Sequence, residues 1–321
     1  EDGSALVVYV DDLMLAATIE NSRKHWAAIE QKIEFKDPAA PIARYLGANY
    51  SFDDVKSLSD NSVRKLSISM RDYSRNLCEK FFAESGRKPK KVTTPFLSDA
   101  EWSTVSETPG TFRKSCSSHV ASALFLGRVG RPDLSTIVQR LCSAVSRWTA
   151  TEDNALNRML SYLHYHLDFS LCGSLGPEDL ASLELHLYTD ADWCGDAASS
   201  KSTSGCWLEL SAESGRTWPL AWSTGKQTAT ASSTCEAESV ALSSGLRKEA
   251  IPVQSLLERL LGRRVKIRSL VDNTQAISAV RKGYSKKLRA LSRTQRVCIG
   301  VIHELLQDKE MMIDVEHCPT D

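Results

Sequence analysis

Leu187-Tyr188-Thr189-Asp190-Ala191-Asp192 reads as a strand that ends on acids, and its role becomes clear from two stretches further along. Ser269-Leu270-Val271-Asp272-Asn273 is a second apolar run that stops on an acid. Ser232-Ser233-Thr234-Cys235-Glu236-Ala237-Glu238 opens a long helical pattern with two acids near its start. At about 100° per residue, Glu236 and Glu238 point about 200° apart, so only one of them can face the first strand. Glu238 lies three positions before Ala241 in the apolar continuation Val240-Ala241-Leu242, which makes it the inward one.

Taken singly, each acid has an ordinary explanation. A strand-end Asp forms turns, and a Glu in the first turns of a helix complements the helix dipole. Together, Asp190, Glu238 and Asp272 suit a site for two hard cations, Mg²⁺ or Mn²⁺, which take oxygen ligands. Such a pair activates a water and stabilises the leaving oxygen of a phosphodiester.

Around these acids the pattern is that of an α/β unit. Strands are expected at 183–188, 205–210 and 219–222, then a long helix over 234–261 with a break near Pro252. A strand over 265–271, helices over 274–281 and 293–307, and a last strand over 311–316 complete a mixed order. The segment 173–179, Gly-Ser-Leu-Gly-Pro-Glu-Asp, reads as a linker. It separates a region 1–175 from a region 180–321.

The first region opens with Leu6-Val7-Val8-Tyr9-Val10, then Asp11-Asp12, then Leu13-Met14-Leu15-Ala16, a hairpin with carboxylates at its tip. A helix with Thr18 as its cap follows, and strands are expected at 44–50 and 66–70. Helices at 119–129, 133–148 and 152–166 come after a polar, proline-bearing connection over 86–111, the last of them with Thr151 as a candidate cap.

Bulk properties narrow little. Lys+Arg and Asp+Glu are equal at 40 each, so net charge points to no partner. Charge is uneven locally: residues 281–296 carry seven Lys or Arg and no acid. That block, with Arg281, Lys282, Lys286, Lys287 and Arg293, is either a solvated helix face or a phosphate-contacting surface. Nine cysteines without zinc spacing fit a reducing, intracellular setting, and no apolar run reaches membrane-span length.

Longer motifs carry a resemblance. Tyr9-Val10-Asp11-Asp12 resembles the catalytic hairpin of reverse transcriptases. Arg44-Tyr45-Leu46-Gly47, Val92-Thr93-Thr94-Pro95 and Gly127-Arg128-Val129-Gly130-Arg131-Pro132-Asp133 follow in the order seen in copia-type polymerases. Tyr188–Trp193 is similar to the family's YSDADW, Ser202–Gly205 to its STSG, and Trp222–Gln227 to its WSSKKQ. Ser232–Glu238 is similar to SSTEAE, and Asp272–Ile277 to DNQSAI. The chain is thereby identified as a member of the copia-type (pseudovirus-like) retrotransposon Pol family, over essentially its whole length.

The resemblance implies a ribonuclease H-like fold over 180–321, with a mixed five-stranded sheet and helices. A partial reverse-transcriptase palm and a helical thumb-like or connection region would precede it. It also implies hydrolysis of RNA in RNA–DNA hybrids, Mg²⁺ or Mn²⁺ as cofactor, and Asp190, Glu238 and Asp272 as catalytic, metal-binding carboxylates. Asp11 and Asp12 would be metal ligands of the polymerase. Trp193, Ser202, Trp222 and Gln227 would be packing residues.

Some positions depart from the family. Its HxRTKH appears as Leu291-Ser292-Arg293-Thr294-Gln295-Arg296, without either histidine, and Ser239 replaces an aromatic. Glu316-His317-Cys318-Pro319-Thr320-Asp321 stops before the Asp that supplies the family's fourth carboxylate, which reads as a fragment of a longer protein. The alternative expectation is a catalytically impaired, nucleic-acid-binding relic of a decayed element.

Overall fold

A computed structural model describes residues 2–56, 62–103, 106, 108–196 and 199–319, so Thr320 and Asp321 lie outside the described residues. The N-terminal acids do sit on a hairpin. β1 (Ala5–Tyr9) and β2 (Asp12–Ala16) pair antiparallel with Tyr9 opposite Asp12, leaving Val10-Asp11 as the turn. Val10 takes a φ of 52°, an uncommon conformation for a β-branched residue. α1 (Ile19–Glu30) follows, capped as expected by the Thr18 hydroxyl, which accepts from the Asn21 amide at 3.2 Å.

A second sheet has the order β3-β4-β5-β6. The strand expected at 44–50 is instead a turn of a hairpin: β3 (Arg44–Tyr45) and β4 (Ala48–Lys56) fold back at Leu46-Gly47, where both residues have positive φ. β5 (Ser62–Ser69) runs into α2 (Arg71–Ser85). α3 (Asp99–Ser103), α4 (Cys116–Val129), α5 (Ser135–Ala144) and α6 (Ala150–Tyr165) complete a helical unit. Its core holds Phe81, Leu126, Leu141, Trp148 and Leu160. The cap of α6 is Thr149 and not Thr151. Its hydroxyl and amide both engage the Glu152 carboxylate in a capping box.

The expected linker is ordered structure. β6 (Ser170–Leu175) pairs along β5, and a 3₁₀ turn (Pro177–Ala181) follows. Asp179 holds this turn down: buried, it accepts from the Gly176 amide and the Ser214 hydroxyl at 2.6 Å and pairs with Arg216 at 3.1 Å. The composition suggested a loose segment because Gly and Pro also serve turns that are clamped by side chains.

The five-stranded sheet is mixed, in the order β11-β10-β7-β8-β9. It comprises β7 (Glu184–Ala191), β8 (Thr203–Ser211), β9 (Thr217–Lys226), β10 (Ile267–Val271) and β11 (Ile313–His317). β7, β10 and β11 run parallel to one another, and β8 and β9 are antiparallel additions. Alternate residues Leu185, Leu187, Ile267, Val271, Ile313 and Val315 are buried on one face. Against that sheet the chain forms α7 (Thr234–Gly245), α8 (Ile251–Leu261), α9 (Thr274–Lys282), α10 (Leu291–Thr294) and α11 (Ile299–Gln307).

Two helix expectations are corrected. The break near Pro252 is one π-helical turn (Leu246–Ala250), which joins α7 and α8 without ending the helix. Pro252 has no amide proton and its ring crowds the carbonyl four residues back, so a local widening accommodates it. The helix expected over 293–307 is two, because Arg296 adopts a left-handed φ of 56° between α10 and α11. Among the described residues no helix is long and apolar enough to cross a membrane.

Candidate metal centre

Asp190 leaves the end of β7, and Asp272 follows directly on β10, the parallel strand beside it. Adjacent parallel strands bring their carboxyl ends to the same edge of a sheet, which is why two acids 82 positions apart meet. Glu238 arrives from above, on the second turn of α7. That helix can approach β7 closely because small residues face it: Ala237, Ala241 and Gly245 recur every fourth position. A Cβ at Gly245 would lie 2.8 Å from Thr189 Cγ2, so no larger residue fits at this crossing.

The three carboxylates converge, with one oxygen of each within 4.8 Å of the others. Asp190 is exposed, Asp272 half-buried and Glu238 only 4% exposed. One Glu238 oxygen, Oε1, accepts from the Ala191 amide at 3.2 Å. The other, Oε2, is buried with no hydrogen-bond partner. Burial pushes the Glu238 carboxyl up to about 8, and the charges of Asp190 and Asp272 add to the rise, against the pull of the Ala191 N–H. A buried carboxylate oxygen lacking a donor, beside two further carboxylates, is a fit for a hard cation and a poor fit for water alone.

Glu236 points the other way, as its helical offset requires. It is buried as well, but both oxygens are engaged: Oε2 accepts from the Ser232 amide at 3.0 Å and from the Ser232 hydroxyl, and Oε1 from the Thr294 hydroxyl at 3.2 Å. It therefore ties the start of α7 to the basic segment. Gln295 makes a second tie, donating from Nε2 to the Ala229 carbonyl at 3.0 Å. No spacing in the sequence announces these two contacts, since they join segments 58 and 66 positions apart.

Of the basic residues, Lys282, Lys286, Lys287 and Arg293 are exposed. Arg281 is anchored, donating to the Val315 carbonyl at 2.6 Å and lying 3.8 Å from Asp314. Asp11 and Asp12 are exposed on the hairpin and join no cluster of three ligating groups among the described residues. Gln227 bridges β8 to α7, donating to Ser204 Oγ and the Ala237 carbonyl, both at 2.9 Å. Ser202 accepts from the Cys194 amide, and the Trp222 indole donates to the Gly127 carbonyl at 2.7 Å. Trp193 is 53% exposed and so is not the packing residue expected, although its indole donates to the Ala231 carbonyl.

No model of a known protein family matches the chain. It is 30% identical over 234 residues to the retrovirus-related Pol polyprotein from transposon RE2 of Arabidopsis thaliana, covering 73% of this chain and 14% of that protein. Over 317 residues it is 25% identical to the Pol polyprotein from transposon TNT 1-94 of Nicotiana tabacum, covering 96% of this chain and 22% of that one. The secreted RxLR effector protein 161 of Plasmopara viticola is 35% identical over 130 residues, 39% of this chain and 82% of its own length. The chain thus spans less than a quarter of these Pol polyproteins. Among solved structures, ribonuclease H1 from the halophilic archaeon Halobacterium salinarum NRC-1 aligns over 42% of this chain and 86% of its own, at 18% identity and a TM-score of 0.28.

Proposed function

The chain belongs to the retrovirus-related Pol polyproteins of copia-like transposons, and from that premise we propose that residues 180–321 form a ribonuclease H-like domain that hydrolyses the RNA strand of RNA–DNA hybrids. The observation that carries the reading is the convergence of Asp190, Glu238 and Asp272 around the partnerless Glu238 oxygen. These three would hold Mg²⁺ or Mn²⁺, which when bound supplies an activated water and charge stabilisation for the leaving 3′ oxygen.

The protein's own part is placement. Glu238 is fixed by the Ala191 N–H, and Asp190, exposed, leaves the open side by which a phosphodiester approaches. Lys282, Lys286, Lys287 and Arg293 would neutralise backbone phosphates, with Arg281 holding the end of α9 to β11. A hybrid would be recognised by its A-form shape and 2′-hydroxyls. Residues 1–175 would be part of a reverse transcriptase, with Asp11 and Asp12 on the hairpin as metal ligands of its palm. The left-handed Val10 would set the pose of that acid-tipped turn.

The test is cleavage of an end-labelled RNA–DNA hybrid with Mg²⁺ or Mn²⁺, together with calorimetric titration of Mn²⁺. Glu238→Gln is expected to lower the cleavage rate by at least about 100-fold, roughly 2.7 kcal/mol of barrier, and to weaken Mn²⁺ binding. Glu236→Gln should leave metal binding intact. No cleavage with either metal, or undiminished cleavage by Glu238→Gln, would sink the reading.

A further inference from the structure

Beside the carboxylates, the helical unit and the five-stranded unit enclose a groove of about 300 Å³ that the proposed cleavage does not use. Asp192, two residues past Asp190, lines it. Its volume is at the lower end for ligand sites (~300–1,000 Å³), with room for a single nucleotide and none for a paired duplex. Trp102 and Arg140 form one wall, the guanidinium 4.0 Å from the centre of the indole ring.

The acids in the groove are already engaged. Asp196 is paired with Lys226 at 2.6 Å, Glu152 caps α6 through Thr149, and Asp192 accepts from the Thr203 amide. Arg147 lines the same groove and is exposed, and its charge acts on Asp196 without a direct salt bridge among the described residues. By formal charge the lining is balanced, Glu152, Asp192 and Asp196 against Arg140, Arg147 and Lys226, and its distinguishing feature is geometric: Arg147 is an exposed cation next to a stacked aromatic–guanidinium pair. An aromatic or guanidinium plane beside a cation is the combination that takes an unpaired base and its phosphate.

We infer that this groove binds an unpaired nucleotide of a nucleic-acid strand that runs on from the carboxylate site, with the base against Trp102 and Arg140 and the phosphate at Arg147. The inference rests on the reading that the carboxylates act on nucleic acid. It makes the helical unit part of the substrate site, so that the enzyme would favour hybrids that continue into single strand.

The experiment is fluorescence anisotropy of the full chain, without divalent metal, on a blunt RNA–DNA hybrid and on the same hybrid with a single-stranded extension at either end of either strand. One extension is expected to tighten binding by about 5–10-fold, about 1–1.4 kcal/mol. Trp102→Leu and Arg147→Gln should each remove that gain and leave blunt affinity unchanged. Arg147→Gln, at an exposed position, keeps the test sound if Trp102→Leu fails to fold. Equal affinity for blunt and extended hybrids, or an unchanged gain in Arg147→Gln, overturns the groove while the cleavage reading stands. Binding to neither hybrid at low salt overturns both.

Discussion

Glu238 shows how one side chain carries opposed demands. Its place on α7 follows from helical spacing, but its environment comes from Asp190 and Asp272 across the fold. Because its carboxyl is raised from the ordinary value of 4.5 to about 8, the folded state holds a proton there that the unfolded chain releases. The stability this group contributes is complete below pH 4.5 and declines as pH rises towards 8. In chelator, Glu238→Gln should therefore raise the melting temperature by several degrees at pH 9 and change it little at pH 4. Mg²⁺ should stabilise the parent protein and not the variant, since a bound cation removes the same repulsion. Thermal melts over pH 4–9, with and without Mg²⁺, read this out, and a variant no more stable than its parent at pH 9 would contradict it. The inward choice of Glu238 was legible in the sequence from the position of Ala241. That Glu236 is also buried was not, because its partner Thr294 comes from a distant segment.

At the scale of elements, the start of α6 depends on a single buried acid. Asp153 is 2% exposed and accepts three donors: the Trp148 indole at 2.6 Å and the amides of Thr111 and Phe112 at 2.5 and 3.2 Å. It thus fastens the end of the polar connection to the helical core, where the dipole of α6 also favours a negative charge. Asp153→Asn would keep one acceptor oxygen and replace the other with an amide N–H₂ donor facing the existing donors. We expect a loss of about 2–4 kcal/mol, measured by denaturant unfolding, against about 1 kcal/mol for the cap variant Thr149→Ala. An Asp153→Asn protein as stable as its parent would show that this network is replaceable. Helix interiors were readable from apolar periodicity, as in α2, α4 and α9. Ends were read less well: Thr151 for Thr149, and one helix where Arg296 makes two, because caps and left-handed residues are chosen by what the chain packs against.

Across the whole molecule, the four-stranded and five-stranded sheets meet where β6 lies against β9. Gly173 on β6 lies against β9 so closely that a Cβ there would be 2.9 Å from Pro219 Cδ and 3.1 Å from Trp218 Cα. Pro219 has no amide proton to offer a neighbouring strand, so the contact is one of packing. The Trp222–Gly127 hydrogen bond is a second tie between the same two units. Gly173→Val should force the units apart, costing about 1–3 kcal/mol, and split a single calorimetric transition into two. An unsplit transition at the parent's temperature would show that other contacts couple them. By itself the sequence determined the mixed α/β order, the acid-tipped hairpin and the three carboxylates at element ends, because these rest on local periodicity and on which residues stop a strand. Tertiary structure alone decided that residues 173–179 form strand and clamped turn, that Thr294 and Gln295 tie the basic segment to Glu236 of α7 and to Ala229 before it, and that a groove opens between the units. Each of these depends on atoms far apart in the chain meeting at van der Waals or hydrogen-bond distance, and a linear pattern carries no record of such meetings.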